Sequence, residues 1–535
     1  MFTSRLQHCF LACALGITVH HGILIRGEWH LYPASIVISH LIGFAAYHLS
    51  QNYYGHQSWY LTALPAIAYL AALFSSITIY RLFFHRLRMF PGPRLAAVSK
   101  LWHVWMCRNS RGHLVLDALH KKYGPFVRTG PNELTIFHPL AFEYLDGPKS
   151  RTTRSEWYDI LQPITSVVMS REKSLHSARR KIWERAFSLS YVTEYYRRIN
   201  SHIQVLTDKI EERLEEPIVL NDLLFRLFFD SMGDFGFGQD FGTLKHGNRV
   251  QGLEVMRGLS ALLGIISPAI WIARAAFAFF PGVWKIKHFV QLQKFSERCA
   301  RDKTRISISS AFLQEYERLG VNTASNQFLR GESSTLLIAA SDTAAPSAMA
   351  IFYFLAQYPE HAARIQEELI NVDCTDVKSL ALLPHLNGVI NEAMRLIPGI
   401  PTFGNRFSPP EGFMAGDTFI PGSVTLCAPR YSIHRLENAF ERPTEFIPER
   451  WYKSPKLIKE KAAFAPFSMG RTMCIGKNIA LAQLRLVTAA LLSRYNIEFA
   501  ADTGNGQAVE RDMLDQLTAK PGDLTVVWHR RSIIG

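Results

Sequence analysis

Twenty consecutive uncharged, mostly apolar residues, Leu61 to Tyr80, commit this chain to a membrane before anything else is read from it. A run of about 20 such residues makes a helix long enough to cross the hydrocarbon core of a bilayer. Arg81, Arg86, Arg88 and Arg94 follow at once, whereas residues 48–59 carry no Lys or Arg, so the charge contrast puts everything after the span in the cytosol. Two shorter apolar stretches come first, Cys9 to Ile25 and Tyr32 to Tyr47, interrupted by His20, His21 and His40. Their length is compatible with crossing or with lying shallow, and three passes would leave the N-terminus in the lumen. A cleaved signal peptide over residues 1–25 is the alternative. The lack of a small-residue cleavage site after Ile25 and the two further apolar runs speak against it.

Pro91-Gly92-Pro93-Arg94 then breaks any helix and reads as a rigid hinge. The expected division is a membrane anchor over residues 1–88, with up to three transmembrane segments, and a globular body over 89–535. With 48% hydrophobic and 19% charged residues among 535, the body can bury a large core, which excludes a disordered or fibrous chain. A net charge of +14 favours an acidic partner, an anionic membrane surface or an anionic cofactor. The basic residues form no run, so nucleic acid is not expected as a partner. Seven cysteines at irregular spacing fit neither a disulfide framework nor a zinc site built from CxxC pairs, and there is no Asn-x-Ser/Thr acceptor.

Within the body, Phe126 to Ile136 places two β-prone runs around Gly130-Pro131 and predicts a hairpin. Helical patterns dominate from about Ser174. The apolar stretch Leu259 to Trp284 is interrupted by Pro268, Arg274 and Pro281-Gly282, which predicts a core helix pair or a surface dipping into lipid rather than a fourth span. A helix over Ser333 to Gln357 is apolar all round in its second half, as one through the domain centre must be. Further β signals fall at Phe403 to Val424 and Leu524 to Trp528, so the fold class is mainly α with minor β.

The segment Phe467-Ser-Met-Gly470-Arg471-Thr-Met-Cys474-Ile-Gly476 runs directly into a helix marked by Ala480, Leu484, Val487 and Leu491. Unpaired N–H groups at a helix start stabilise a thiolate, which is what a metal-ligating cysteine needs. Gly470 and Gly476 would let a flat cofactor approach the backbone, and Phe467 could shield the sulfur from water. A buried structural cysteine in a Gly-flanked turn explains the same residues.

Three more segments precede this one: Ala339-Ala-Ser-Asp342-Thr343, Glu392-Ala-Met-Arg395 and Phe446-Ile-Pro-Glu-Arg450-Trp451. Each alone is unspecific, and an ExxR is ordinarily a helical i, i+3 ion pair. All four in this order resemble the cytochrome P450 monooxygenases, over roughly residues 90–530. The resemblance implies the P450 fold, a haem (heme b) whose iron takes Cys474 as axial ligand, and a structural triad of Glu392, Arg395 and Arg450. It makes Asp342 and Thr343 the proton-relay and oxygen-activating pair, with Ala339 and Ala340 leaving room for dioxygen. Cations for the haem propionates are implied at His176, Arg180, Arg406 and the cysteine loop.

This sequence departs from the family pattern in places. Ala340 replaces a glycine, Ala344 replaces a second hydroxyl residue, and Pro346 leaves the Asp342 carbonyl without its helical donor. The base usually found two residues before the cysteine is Thr472, and Arg471, one residue earlier, is a candidate substitute that could instead face the reductase. The further implications are electrons from NADPH through an NADPH-cytochrome P450 reductase, a location in the endoplasmic reticulum membrane with the body cytosolic, and an apolar small-molecule substrate. The sequence looks most like fungal members that tailor terpenoids, alkaloids or polyketides. A P450-fold isomerase or dehydratase would not need Asp342 and Thr343, and a haem-binding membrane sensor would have no use for the relay.

Overall fold

The computed structural model describes residues 2–54, 59–247, 251–301, 305–320 and 327–531. Residues 55–58 of the uncharged loop lie outside the described residues. The three N-terminal apolar runs are helices: α1 (Phe2–Val19), which continues through a wider turn to Leu24, α2 (Pro33–Tyr53) and α3 (Trp59–Ile79). Of these, the stretch Thr62–Phe84 is long and apolar enough to cross a membrane by length and composition. α1 lies along α3, and Gly16 permits the contact, since a Cβ there would sit 2.6 Å from the Tyr69 carbonyl oxygen.

The arginines that follow the span are tied to the body. Arg81 donates to the Val98 carbonyl at 2.6 Å, and Arg86 donates to that of Gly422 at 2.5 Å. The expected hinge is a fixed corner. The Pro91 carbonyl accepts from the Arg128 N–H at 2.8 Å, and Gly92 lies so close to the Arg128 carbonyl that a Cβ would stand 2.4 Å from it.

The expected hairpin forms as β1 (Phe126–Gly130) and β2 (Glu133–Ile136). It is one edge of a five-stranded sheet with β3 (Thr153–Arg154), β4 (Arg406–Phe407) and β5 (Thr425–Cys427), in the order β1-β2-β5-β4-β3. β2 and β5 are parallel, and the other neighbours are antiparallel. Arg154 is paired with Arg406, so both side chains leave the same face of the sheet. The short helix α4 (Ala141–Asp146) follows the hairpin, and α5 (Lys173–Ala186) begins where helical patterning was expected.

The apolar stretch after residue 250 is a helix pair, α6 (Gln251–Ile266) and α7 (Ile270–Phe279), broken at Ser267–Ala269 around Pro268. α6 is anchored in the core by Met256 and Leu259, while α7 packs on α2 and leaves Trp271 and Phe279 exposed. The central helix starts earlier than expected and is two pieces, α8 (Gln327–Ser341) and α9 (Ala344–Gln357). The break falls at Asp342–Thr343, where Pro346 removes the donor to the Asp342 carbonyl. α10 (Pro384–Leu396) and α11 (Lys477–Leu492) pack against α9, and every residue of α9 from Ala344 to Leu355 is buried. The hairpin of β6 (Leu514–Gln516) and β7 (Thr518–Lys520) was not expected from the sequence and reaches back to α6 and the helix break.

Candidate functional site

The loop before α11 is shaped by two left-handed residues, Ser468 and Gly470, each with φ near 58°. At Gly470 the reason is steric, since a Cβ would lie 2.1 Å from the Asp146 carbonyl oxygen. The loop closes through the Cys474 N–H, which donates to the Phe467 carbonyl at 2.8 Å. Burial pushes the Cys474 thiol above its ordinary pKa, against the opposing pull of Arg180, Lys477 and the N–H groups of Gly476 and Lys477. The helix start therefore does present donors to the sulfur as the sequence implied, but desolvation outweighs them. Cys474 is nonetheless exposed, a combination that the wall of an internal cavity produces. A Cβ at Gly476 would lie 3.9 Å from the Cys474 sulfur, an ordinary contact, and Phe467 is half-buried beside the core.

Behind the loop, Glu392 sits fully buried on α10 and accepts five N–H donors. Arg395 gives two at 3.0 and 2.8 Å, Arg450 one at 2.9 Å, the Trp451 indole one at 2.9 Å and the Ile447 backbone one at 3.0 Å. The remaining guanidinium donors bind backbone carbonyls, those of His434, Pro443 and Glu445 from Arg395 and those of Glu441, Arg442 and Leu457 from Arg450. The triad read from the sequence is thus one carboxylate and two arginines that collect the loop from 434 to 457. Trp451 and the Ile447 N–H were not foreseen as partners.

A cavity of about 230 Å³ lies beside the cysteine loop, lined by Arg154, Arg171, Lys173, His176, Arg406, Arg471, Thr472 and Asp146 among others. His176 is buried, and burial together with the facing arginines lowers its pKa to about 4, so it is neutral. Arg406 donates to Asp146 at 2.6 Å, to the Tyr158 hydroxyl at 2.9 Å and to the Thr472 hydroxyl at 3.2 Å. Thr472 in turn donates to Asp146 at 2.8 Å. Arg180 turns instead to the cysteine loop itself, donating to the Met473 carbonyl at 2.6 Å and to Glu184 at 3.0 Å. Arg471 is exposed on the cavity wall. Arg154 was missed, and so was Asp146, a carboxylate at the end of α4 with no sequence signal linking it to a loop more than 300 residues later. Five cations facing one acid, with the Arg154 Nε buried and without a partner, fit an anionic group such as the carboxylates of a haem.

At the helix break, Thr343 donates its hydroxyl to the Ala339 carbonyl at 2.8 Å. Ala339 is exposed and Ala340 partly so, although Leu336 and Leu337 before them and Ser341 and Asp342 after them are buried, which again marks a cavity wall. Asp342 points the other way. Its buried carboxylate accepts from the Thr518 hydroxyl at 2.5 Å and the Ser260 hydroxyl at 3.4 Å, and it pairs with Lys520 of β7. Of this ion pair, the Lys520 side chain is 21% exposed and that of Asp342 1%.

The residues present thus fit a haem: an accessible thiol at a constrained loop, a cationic cavity beside it, and small residues at a helix break. Comparison with known proteins agrees. The Cytochrome P450 family model matches residues 91–525. Cytochrome P450 monooxygenase FCK2 of Fusarium pseudograminearum is 34% identical, with 97% of each chain covered. Tryprostatin B 6-hydroxylase of Neosartorya fischeri is 33% identical over 92% of this chain and 93% of that one. Among solved structures, the haem domain of cytochrome P450DA superposes with a TM-score of 0.66 at 17% identity over 79% of this chain and 94% of that one, a likeness of fold. By this match over most of its length, the chain belongs to the cytochrome P450 family and is an oxidoreductase of its monooxygenase kind.

Proposed function

We propose that the protein is a membrane-anchored haem monooxygenase that inserts one oxygen atom of dioxygen into an apolar secondary metabolite of the terpenoid, alkaloid or polyketide kind. Residues 1–88 form the anchor and 89–535 the catalytic body, which faces the cytosol at the endoplasmic reticulum and receives NADPH-derived electrons from a reductase. The observation that carries the reading is Cys474, exposed in a loop that its own N–H closes on the Phe467 carbonyl and that Gly470 seats on Asp146. A haem ligated there supplies dioxygen binding and redox chemistry.

The chain's own residues do the rest. Cys474 gives up its proton on ligation, and the N–H groups of Gly476 and Lys477 and the charge of Arg180 hold the resulting sulfur charge. Gly470 keeps the loop against Asp146, and Gly476 and Phe467 flank the sulfur. Arg406 and Arg471 face the carboxylates of the cofactor, with neutral His176 as a donor beside them, while Arg180 steadies the loop through Met473. Thr343 offers its hydroxyl at the cavity wall, and Asp342, tied to Lys520 on the side away from that wall, relays protons once it turns toward it. Glu392, Arg395 and Arg450 keep the polypeptide behind the loop in place.

The relative named for hydroxylation of tryprostatin B supports a small organic substrate. Incubating microsomes that hold the protein with candidate metabolites and NADPH should yield products heavier by one oxygen. The reduced, carbon monoxide-bound protein should show the red-shifted Soret band of a thiolate-ligated haem, and Cys474→Ser should abolish it. A band that survives in that variant refutes the ligand assignment.

A further inference from the structure

The stretch between α1 and α2 is not a free connection, because it is bound to the catalytic body by charged side chains. Glu28 accepts a bidentate pair from Arg171 at 2.6 and 2.7 Å. The same guanidinium donates to Asp159 at 2.5 Å, and His30 meets that carboxylate at 3.0 Å. Asp159 is nearly buried and 7% exposed, so this is a seated contact and not a loose surface ion pair. From α7, Arg274 reaches the same place, donating to the Asp159 carbonyl at 2.7 Å, the Gln162 carbonyl at 3.2 Å and the Leu31 carbonyl at 3.5 Å. Three separate parts of the chain therefore converge: the connection between two anchor helices, the segment Glu156 to Arg171, and a helix that packs on α2.

What these parts do next is what makes the junction more than a tether. Tyr158, adjacent to Asp159, holds Arg406 through its hydroxyl, and Arg171 donates through its Nε to the Arg154 carbonyl at 3.2 Å. Arg154 and Arg406 both line the cationic cavity. α7, which packs on the anchor helix α2, leaves Trp271 and Phe279 exposed, apolar surface of the kind that suits a bilayer interface. We propose that residues 25–32 are a latch: by clasping Asp159, Arg171 and, through Leu31, Arg274, the anchor holds the Glu156–Arg171 segment against α7 and so closes the body on its membrane-facing side. An apolar molecule arriving from the bilayer then enters by releasing this clasp, so the anchor sets the rate of access to the haem as well as the position of the enzyme. This rests on the reading of the protein as a membrane-anchored haem enzyme.

The test uses the full-length protein in microsomes, with Glu28→Gln and His30→Gln singly and together. Two measurements are made beside the carbon monoxide spectrum: tryptic cleavage after Arg171, followed by mass spectrometry, and the association rate of phenylimidazole, whose ring nitrogen reports arrival at the iron by a Soret shift. The doubly substituted protein should keep its spectrum, be cut after Arg171 about tenfold faster and bind phenylimidazole several-fold faster, with each single variant between. Unchanged cleavage and association would overturn the latch. Loss of the spectrum in the variants alone would also overturn it, since the connection would then be a requirement for folding. Absence of the spectrum in the unsubstituted protein would count against the haem reading instead, and the cleavage arm would still decide whether the clasp exists.

Discussion

Replacing Glu392 by Gln removes one charge and no volume, yet the geometry around it predicts a severe loss of stability. One carboxylate oxygen takes Arg395 Nη2, Arg450 Nε and the Ile447 N–H, and the other takes Arg395 Nε and the Trp451 indole. A glutamine can keep its oxygen on the first set, but its amide N–H2 then confronts the Arg395 and Trp451 donors. Two bonds are lost, both of them charge-assisted, and two fully buried guanidinium groups are left without a counter-charge. Breaking a buried ion pair from one side costs about 3–5 kcal/mol. With a urea dependence of about 3 kcal/mol per molar, the unfolding midpoint of the holoenzyme should fall by about 1–1.7 M. Tryptophan fluorescence and the carbon monoxide difference band should report the same transition.

Replacing all three residues with apolar ones of similar size should not restore stability. The two arginines also satisfy six backbone carbonyls between 434 and 457, which an apolar side chain would leave unpaired. A loss below about 1 kcal/mol for Glu392→Gln, or full recovery in the triple variant, would refute this account.

Two more predictions concern α8 and its break. Thr343→Ala should leave the haem spectrum intact but divert NADPH consumption from product to hydrogen peroxide. Tightly coupled product formation in that variant would limit Thr343 to its bond with Ala339. Glu332 on α8 is fully buried, and burial raises its pKa to about 7 despite Arg179 at 3.3 Å. A raised carboxyl favours the folded state most below its unfolded value near 4.5, and that contribution is lost as pH climbs to about 7. Glu332→Gln should therefore flatten the fall in stability between pH 5 and 8, a difference of at most about 3 kcal/mol. Unfolding midpoints of the two proteins that stay parallel across that range would contradict it.

The parts of the site that could be read from the sequence are those whose signal is local. ExxR puts Glu392 and Arg395 on one helix face within a single turn, and Pro346 announces the break at Asp342–Thr343 because a ring without an N–H has one effect on a helix. The Gly-flanked loop before an apolar helix likewise singles out Cys474, while its assignment to a haem comes from the resemblance that all four motifs carry together. What stayed hidden depends on distant chain meeting in space. Asp146 and Thr472 are unremarkable alone, and only the packing of α4 under the cysteine loop joins them with Arg406. Lys520 belongs to a hairpin whose three-residue strands carry no readable alternation, so the partner of Asp342 could not be named. The resemblance implies Arg180 as a partner of the cofactor's carboxylates, and its nearer role, on the Met473 carbonyl, depends on the loop's path.

The contact between Gly470 and the Asp146 carbonyl bears on how this protein can be recombined with its relatives. Because a side chain at 470 would occupy the space of a main-chain oxygen, and because Asp146 also receives the hydroxyls of Ser468 and Thr472, the segments 146–147 and 467–476 form one heritable unit despite their separation. A chimera with a crossover between them inherits a loop from one parent and its support from the other. Crossovers that keep both segments from the same parent should give haem-loaded chimeras more often than crossovers that split them, so libraries built from this protein should treat positions 146 and 472 as a single site of choice.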